Sequence, residues 1–204
     1  MIIKSITLNN FRQYKGEQPP ILFSTDKEKN VTVILGINTS GKTTLIQAFK
    51  WCLYDNTNFK TSEVINVEVA KSMGLYTSQE FFVEIVLIHE NKEFTIRRSQ
   101  KFTKNDIDKM KVDHSMLQVQ YKEDNGEQQA IPSYECVNTI NKILPEALSD
   151  YFFFDGERIS DINNRGDVVA AVRGLMGLDV VSEAKDRLDP TRPSSVTAKL
   201  SKEL

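Results

Sequence analysis

The sequence has few residues of the kinds that build disulfide frameworks or metal centres. It contains two cysteines and two histidines, and both Cys52 and Cys136 lie in apolar, helix-like patterns. Such cysteines are typical of small buried side chains rather than of a disulfide or redox pair. His89 and His114 have no cysteine or histidine at ligand spacing, so the sequence predicts no zinc site.

A long apolar run and an excess of one charge are also missing. No stretch approaches the roughly 18 apolar residues of a membrane-spanning helix, and the first residues alternate like a strand rather than resembling a signal peptide. We therefore expect a cytoplasmic protein with no membrane contact. The 26 basic and 28 acidic residues give a net charge of −2, so any nucleic-acid contact requires a local basic patch.

The apolar pattern of the 204 residues predicts a mixed α/β fold. Residues 43–54 and 134–144 have helical spacing, and residues 55–79 have no clear period, which indicates a surface excursion. Two hairpins are expected, one around residues 90–92 and one at the Asn-Gly turn of residues 124–126. Predicted strands cover residues 2–9, 21–23, 30–36, 81–89, 93–99, 116–121, 128–131 and 151–154.

Residues 36–43 (GINTSGKT) match the phosphate-binding pattern G-x-x-x-x-G-K-[ST] at every fixed position. A buried strand is predicted before this loop and a helix after it, which is the context that the motif requires. Loop amides, the helix N-terminus and Lys42 would bind phosphate oxygens, and the Thr43 hydroxyl would ligate Mg²⁺. The alternative is a Gly-Ser-Thr turn that matches by chance. Thr39 stands where many such loops have glycine, and its branched side chain restricts the backbone.

The acidic half of an ATP-hydrolysing site is not evident in the sequence. Hydrolysis needs an acid for the metal and a base for water, usually an Asp-Glu pair after an apolar strand. The nearest run is YFFFDGE at residues 151–157, where Gly156 separates Asp155 from Glu157, and no Leu-Ser-Gly-Gly signature occurs. Asp155 and Glu157 also suit the N-cap and first turn of a helix. The sequence therefore predicts half of an ATPase site.

Four segments together resemble the N-terminal lobe of SMC-like ATPases, a group that includes SMC proteins, the SbcC nuclease subunit and DndD. They are residues 9–12 (NNFR), 36–43, 154–157 (FDGE) and 172–188. The FDGE run is most similar to DndD and to phage-defence ATPases of the Lamassu type. The resemblance implies an α/β P-loop NTPase fold, the N-terminal lobe of an ABC/SMC head, with a mixed sheet, antiparallel hairpins and a C-terminal arm helix.

The same resemblance implies ATP and Mg²⁺ as cofactors. Lys42 and Asp155 would be catalytic, and Thr43 and Asp155 would hold the metal. A solvated loop arginine is the alternative for Arg12. The residues expected to bind nucleotide are Arg12, Asn38, Thr39, Ser40, Gly41, Lys42, Thr43 and Thr44.

The resemblance further implies an ATPase lobe over residues 1–166 and a helical neck, the root of a coiled coil, over residues 167–204. The Asp-Glu pair and the signature would come from a C-terminal lobe of the same head. A second head would complete a homodimer around two ATP molecules. Pro190 and Pro193 interrupt the neck helix. An ordinary amphipathic helix packed on the domain is the alternative for this segment.

A basic cluster lies within residues 97–111. In the family such a surface would hold duplex DNA through phosphate contacts, which are independent of base sequence. The alternative is a solvated hairpin edge, where lysines discourage strand pairing. The residues expected to contact DNA are Arg97, Arg98, Lys101 and Lys104.

Two functions fit these features. The first is an ATPase head that dimerises with ATP and engages DNA in phage defence or DNA repair, together with an effector or nuclease subunit. The second is a nucleotide-gated assembly module without hydrolysis of its own, which the missing Asp-Glu pair favours. A small P-loop kinase would need an acceptor site and an arginine-rich lid, and the sequence shows neither.

Overall fold

The computed structural model describes residues 1–37, 40–57, 59–60, 64–106, 109–123, 126–153, 184–189 and 191. The strands are β1 (Ile2–Phe11), β2 (Tyr14–Glu17), β3 (Ile21–Leu22), β4 (Ser78–His89), β5 (Lys92–Asp106), β6 (Lys109–Val112), β7 (Met116–Lys122) and β8 (Gln128–Ala130). The helices are α1 (Lys42–Tyr54), α2 (Val67–Ser72), α3 (Ser133–Ile143) and α4 (Ser149–Phe152), and a 3-10 turn covers Glu146–Leu148.

The strands form one sheet in the order β2-β1-β4-β5-β7-β8, with β3 beside β1 and β6 beside β5. Every pair of strands in the described residues is antiparallel. Both predicted hairpins are present, as β4–β5 and β7–β8. Glu90 and Asn91 form the first turn with φ of 48° and 62°, which a two-residue hairpin turn with the twist of its strands requires.

Helix α1 supplies the core on one face of the sheet. Its Trp51 ring lies 5.5 Å from Phe11 of β1 and 4.8 Å from Phe81 of β4, and Phe81 lies 5.0 Å from Phe102 of β5. Burial of large rings removes 150–250 Å² each from water and dominates the energetics of such a core. Rings of β1 and β4 therefore pack directly on α1, with Phe102 of β5 behind Phe81, and fix the helix and the loop before it on the sheet.

Both cysteines are buried and free, as the sequence predicts. Cys52 is enclosed between α1 and the sheet, and its thiol lies 3.3 Å from the carbonyl oxygen of Val83. Burial raises the pKa of Cys52 from 9.0 to about 12, because a thiolate would lose its hydration there. The thiol therefore acts as a small apolar group in the core.

The prediction of a buried strand at residues 30–36 is wrong. No strand is assigned to residues 30–37, and the side chains of Val31, Val33 and Leu35 are 77%, 73% and 89% exposed. An apolar, β-branched run indicates a segment suited to burial on both faces. The run itself does not show whether another strand is present for it to pair with. Within the described residues no such neighbour covers it.

Two further predictions are wrong in part. Tyr151 and Phe152 belong to α4 rather than to a strand, and the Phe153 amide donates to the Ser149 carbonyl oxygen at 2.8 Å. Local helical hydrogen bonds override the aromatic β-propensity of this run. Residues 55–79 are more than a surface excursion, since they contain α2 and the buried side chains Val64, Ile65 and Met73.

The chain divides into two compact units, Met1–Glu146 and Ala147–Leu204. The arm helix expected from Asp167 falls mostly outside the described residues. In the part of this segment that is described, residues 184–188 are helical. The division into residues 1–166 and 167–204 therefore stays a prediction. No helix among the described residues is long and apolar enough to cross a membrane.

Candidate phosphate-binding site

The glycines of the predicted loop occupy positions that a side chain would disturb. A Cβ at Gly36 would lie 2.3 Å from the Ser40 hydroxyl oxygen, so Ser40 would have to turn away. Gly41 precedes α1 with φ of 104°, a left-handed conformation that favours glycine. The Ser40 amide donates to the Ile37 carbonyl oxygen at 3.2 Å and closes the loop.

The N-terminus of α1 is open to an anion. Gly41 provides no side-chain cap, and the first turn of α1 contains no acidic residue. The first amides of a helix lack partners within the helix and carry partial positive charge. A phosphate group would satisfy these amides, so the described end of the loop suits an anion such as a phosphate.

Lys42 brings the positive charge to this loop. Its Nζ donates to the carbonyl oxygens of Gly36 at 2.7 Å and Ile37 at 2.8 Å. The ammonium group thus lies over the loop backbone and would exchange these contacts for phosphate oxygens. Thr43 follows in the first turn of α1 with its side chain exposed, as a Mg²⁺ ligand requires.

The turn between β1 and β2 contacts the loop and the start of α1. Thr44 is buried in the first turn of α1, and its hydroxyl donates to Oε1 of Gln13 at 2.7 Å. The Tyr14 hydroxyl donates to the Gly41 carbonyl oxygen at 3.4 Å, and burial raises the pKa of the Tyr14 phenol. Sequence reasoning missed Gln13 and Tyr14; their only signal was that they directly follow the NNFR segment.

Arg12 lies on the same turn, with φ of 48°. Its backbone amide donates to the Val64 carbonyl oxygen at 2.7 Å, and its guanidinium carbon lies 3.6 Å from the centre of the Phe59 ring. This geometry is a cation–π contact. Arg12 therefore lies in the same turn as Gln13, whose side chain contacts α1, and its own side chain stacks on Phe59. Its contact with phosphate stays a prediction.

The prediction that Arg98 contacts DNA is wrong, because Arg98 is buried. The residue is 6% exposed, and its side chain donates to the carbonyl oxygens of Cys52 and Leu53 at the end of α1, at 3.0 and 3.4 Å. It also donates to the Ser115 hydroxyl at 3.0 Å and lies 3.5 Å from the Asp55 carboxylate. Desolvation by burial lowers the pKa of Arg98, whereas the Asp55 charge raises it. Arg98 therefore caps α1 and offers no charge to a DNA backbone.

The other basic residues of β5 are divided between two faces of the sheet, because successive strand residues point in opposite directions. Arg97 stacks 3.5 Å from the centre of the Phe82 ring and lies 3.4 Å from the Glu84 carboxylate. Lys101 shares that face and is exposed. Lys104 lies on the opposite face, where its Nζ donates to the Met73 carbonyl oxygen at 3.0 Å. The cluster in sequence is therefore not one cluster in space.

Three of the predicted site residues, Asn38, Thr39 and Asp155, lie outside the described residues. The expected metal pair of Thr43 and Asp155 stays a prediction. In the part of the chain that the structure describes, no three histidine, cysteine or acidic side chains are grouped as metal ligands.

Comparisons with known proteins show which family the chain belongs to. A solved structure from work on the ATP-driven dimerization and DNA-stimulated activation of SMC ATPases has a similar fold, with a TM-score of 0.54 at 20% identity. The match covers 86% of this chain and 99% of that chain. No curated protein matches the chain. The α/β P-loop NTPase fold is confirmed, and since residues 5–194 match the AAA domain family, the chain belongs to that family.

Proposed function

We propose that this chain is the ATP-binding N-terminal half of an SMC-like ATPase head. The observation that carries the proposal is the loop before α1. Gly36 and Gly41 allow close approach of Ser40 and Tyr14 to the loop backbone, the first turn of α1 has no acidic or capping side chain, and Lys42 lies over the loop. These groups supply amides and an ammonium charge, which bind phosphate oxygens.

In this proposal Lys42 neutralises charge on the outer phosphates of ATP. Thr43 presents its hydroxyl from the exposed side of the first turn and would hold Mg²⁺, which spreads the charge of the phosphates when it is bound. Asp155 would add a carboxylate to the same metal. Arg12 would steady the nucleotide from the turn between β1 and β2.

A complementary C-terminal lobe would complete the head. Residues 31–37 support this, because five of their side chains are large, apolar and exposed, and no strand of the described residues pairs with the segment. Strands buried on both faces have such near-continuous apolar runs. We expect the partner lobe to cover this segment and to bring the missing Asp-Glu pair and signature.

The finer parts of the proposal rest on the resemblance of the NNFR, phosphate-loop and FDGE segments to SMC-like ATPases. Two heads would dimerise around ATP, engage duplex DNA and act with an effector or nuclease subunit. The FDGE run favours the DndD-like or Lamassu-type branch and therefore a role in phage defence, with DNA repair or maintenance as the wider class. Lys101 and Arg97, which share one face of β5, are the basic residues best placed for DNA.

The alternative function is a nucleotide-gated assembly module that does not hydrolyse ATP. The sequence favours it in one respect: it contains no adjacent Asp-Glu pair. In this case ATP would fix a partner or a dimer, and turnover would not follow.

Phosphate release from ATP and Mg²⁺, measured with and without the complementary lobe, separates the two functions. An ATPase half predicts negligible release by the chain alone and release at ordinary enzyme rates, about 1 s⁻¹ or faster, with the lobe. An assembly module predicts ATP binding without release in either case. Turnover by the chain alone would contradict the half-site proposal.

A further inference from the structure

We propose that Gln13 and Tyr14 are positioning residues that hold the end of the phosphate loop and the first turn of α1, from Gly41 to Thr44, and so set the affinity of the site for a polyphosphate. This inference rests on the proposed function, since it names what fixes the same loop. Neither side chain belongs to the phosphate-loop motif: Gln13 lies in the turn between β1 and β2, and Tyr14 is the first residue of β2.

The first contact holds the start of α1. Thr44 is 3% exposed, so its hydroxyl needs a partner inside the protein, and Oε1 of Gln13 accepts its hydrogen bond at 2.7 Å. Thr44 is the second residue after Lys42. A bond at Thr44 therefore fixes the helical turn from which the Lys42 ammonium and the Thr43 hydroxyl project.

The second contact holds the last residue of the loop. Gly41 has φ of 104°, and its Cα faces Tyr14 so closely that an added Cβ would lie 3.2 Å from the phenol oxygen and 3.4 Å from two ring carbons. The phenol also donates to the Gly41 carbonyl oxygen at 3.4 Å. The Tyr14 ring thus forms a wall against which the left-handed residue rests.

The turn that carries Gln13 and leads into Tyr14 is itself anchored. Phe11 pairs with Ile65 in an antiparallel bridge, and the Arg12 amide donates to the Val64 carbonyl oxygen at 2.7 Å. The Asn66 amide donates to the Asn10 carbonyl oxygen at 2.8 Å. Because side chains hold a site well only when they project from a fixed support, this anchorage lets Gln13 and Tyr14 restrict the loop.

A restricted loop loses less conformational entropy when phosphate binds, so its affinity is higher. Gln13 and Tyr14 act on the loop, not on the base or the ribose. Their loss should therefore weaken binding of ATP and of inorganic tripolyphosphate by the same factor. Loss of one hydrogen bond corresponds to about a three- to tenfold weaker Kd.

The test is calorimetric titration of the whole chain with ATP and, separately, with tripolyphosphate, each with Mg²⁺. Gln13→Ala and Tyr14→Ala should weaken both probes about equally, whereas Tyr14→Phe keeps the ring and loses only the long hydrogen bond of 3.4 Å, so it should weaken both probes less than Tyr14→Ala does. The matched control is Gln118→Ala, since Gln118 is an exposed glutamine on β7. Thermal unfolding checks that each variant is folded, and if Tyr14→Ala unfolds, Gln13→Ala decides.

A double-variant cycle tests the route of the effect. Thr44→Val removes the hydroxyl with little change of shape, and the pair Gln13→Ala and Thr44→Val should weaken binding no more than the worse single change. Unchanged affinity of Gln13→Ala for both probes would overturn the inference, as would a loss for ATP alone. If the unaltered chain binds neither probe even with the complementary lobe present, the proposed function itself fails, and the inference fails with it.

Discussion

The guanidinium of Arg98 donates a hydrogen bond of 3.0 Å to the carbonyl oxygen of Cys52, so a buried cation of β5 closes the last turn of α1. Cations near a helix C-terminus are stabilising, and this one also contacts Ser115 and Asp55. The helix that begins at the phosphate loop is thus held at its far end by the sheet.

Arg98→Met should lower the free energy of unfolding by about 2–3 kcal/mol, because hydrogen bonds to a charged group are lost and the carbonyls of α1 lose their partner. Arg97→Met is the control, since Arg97 is partly exposed and its pair with Glu84 should contribute less than about 1 kcal/mol. Urea unfolding measures both. Equal losses in the two variants would contradict the role of Arg98 as a helix cap.

Cys52 predicts a specific dependence of stability on pH. Its pKa is raised in the folded protein to about 12 from 9.0, so the folded state keeps the proton that the unfolded state loses. The contribution of Cys52 is therefore complete below pH 9 and is lost as the pH rises from about 9 to about 12. Cys52→Ala should flatten this fall in the free energy of unfolding, measured in urea at a series of pH values.

Cys136→Ala serves as the comparison. Cys136 is also buried, and desolvation raises the pKa of its thiol, but backbone hydrogen bonds at Val119 and Cys136 oppose this rise. Its removal should change the alkaline fall less than Cys52→Ala does. Identical pH profiles for Cys52→Ala and the unaltered chain would contradict the burial of the Cys52 thiol.

Gly41→Ala should disrupt the phosphate loop more than a change at another glycine with positive φ. Gly41 and Gly16 have φ of 104° and 69°, but only Gly41 has Tyr14 within 3.2 Å of an added Cβ. Strain at such a position costs about 1–2 kcal/mol. We expect Gly41→Ala to lower the free energy of unfolding by more than this backbone strain and to abolish nucleotide binding.

Gly16→Ala carries the backbone strain alone, since nothing lies within 4 Å of its added Cβ. It should keep nucleotide binding within about twofold of the unaltered chain, because a surface change away from a site is usually small. Thermal unfolding and ATP titration on both variants give the comparison. Equal losses of binding would show that the contact with Tyr14 has no effect on the loop.

Leu35→Asp should separate stability from assembly. Leu35 is 89% exposed, so the charge should change the free energy of unfolding by no more than about 0.5 kcal/mol. The same charge should prevent binding of the complementary lobe, because it would have to be buried without a partner. Co-purification of the two lobes and urea unfolding are the measurements.

Leu22→Asp is the matched control for this variant, since Leu22 is an apolar residue of β3 that is 72% exposed. It should leave both stability and assembly close to those of the unaltered chain. Normal assembly of Leu35→Asp would contradict the proposal that residues 31–37 are covered by the second lobe.

Local patterns predicted much of this fold. Alternation predicted β1, helical spacing predicted α1 and α3, and turn residues predicted both hairpins, because each signal lies within a few neighbouring residues. The run at residues 30–36 shows the limit of such signals. Its side chains indicate that both faces suit burial, but whether a neighbouring strand is present is a non-local fact.

Prediction of the site residues also succeeded for local signals and failed for contacts between distant positions. The loop glycines and Lys42 could be predicted, because their spacing is fixed by the chemistry of phosphate binding. Gln13 and Tyr14 could not, since their contacts with Thr44 and Gly41 join positions about thirty residues apart in the chain. The inward position of Arg98 did have a signal: it follows Ile96 by two residues on the buried face of β5.

Calorimetric titration of ATP and Mg²⁺ into the chain and its Lys42→Ala variant tests the central claim most directly. The account predicts saturable binding by the unaltered chain, about 10- to 100-fold weaker binding by Lys42→Ala, and no change in Lys142→Ala, which removes an exposed lysine from α3. The contrary result is an unaltered chain and a Lys42→Ala variant that bind ATP equally, or not at all even with the complementary lobe present.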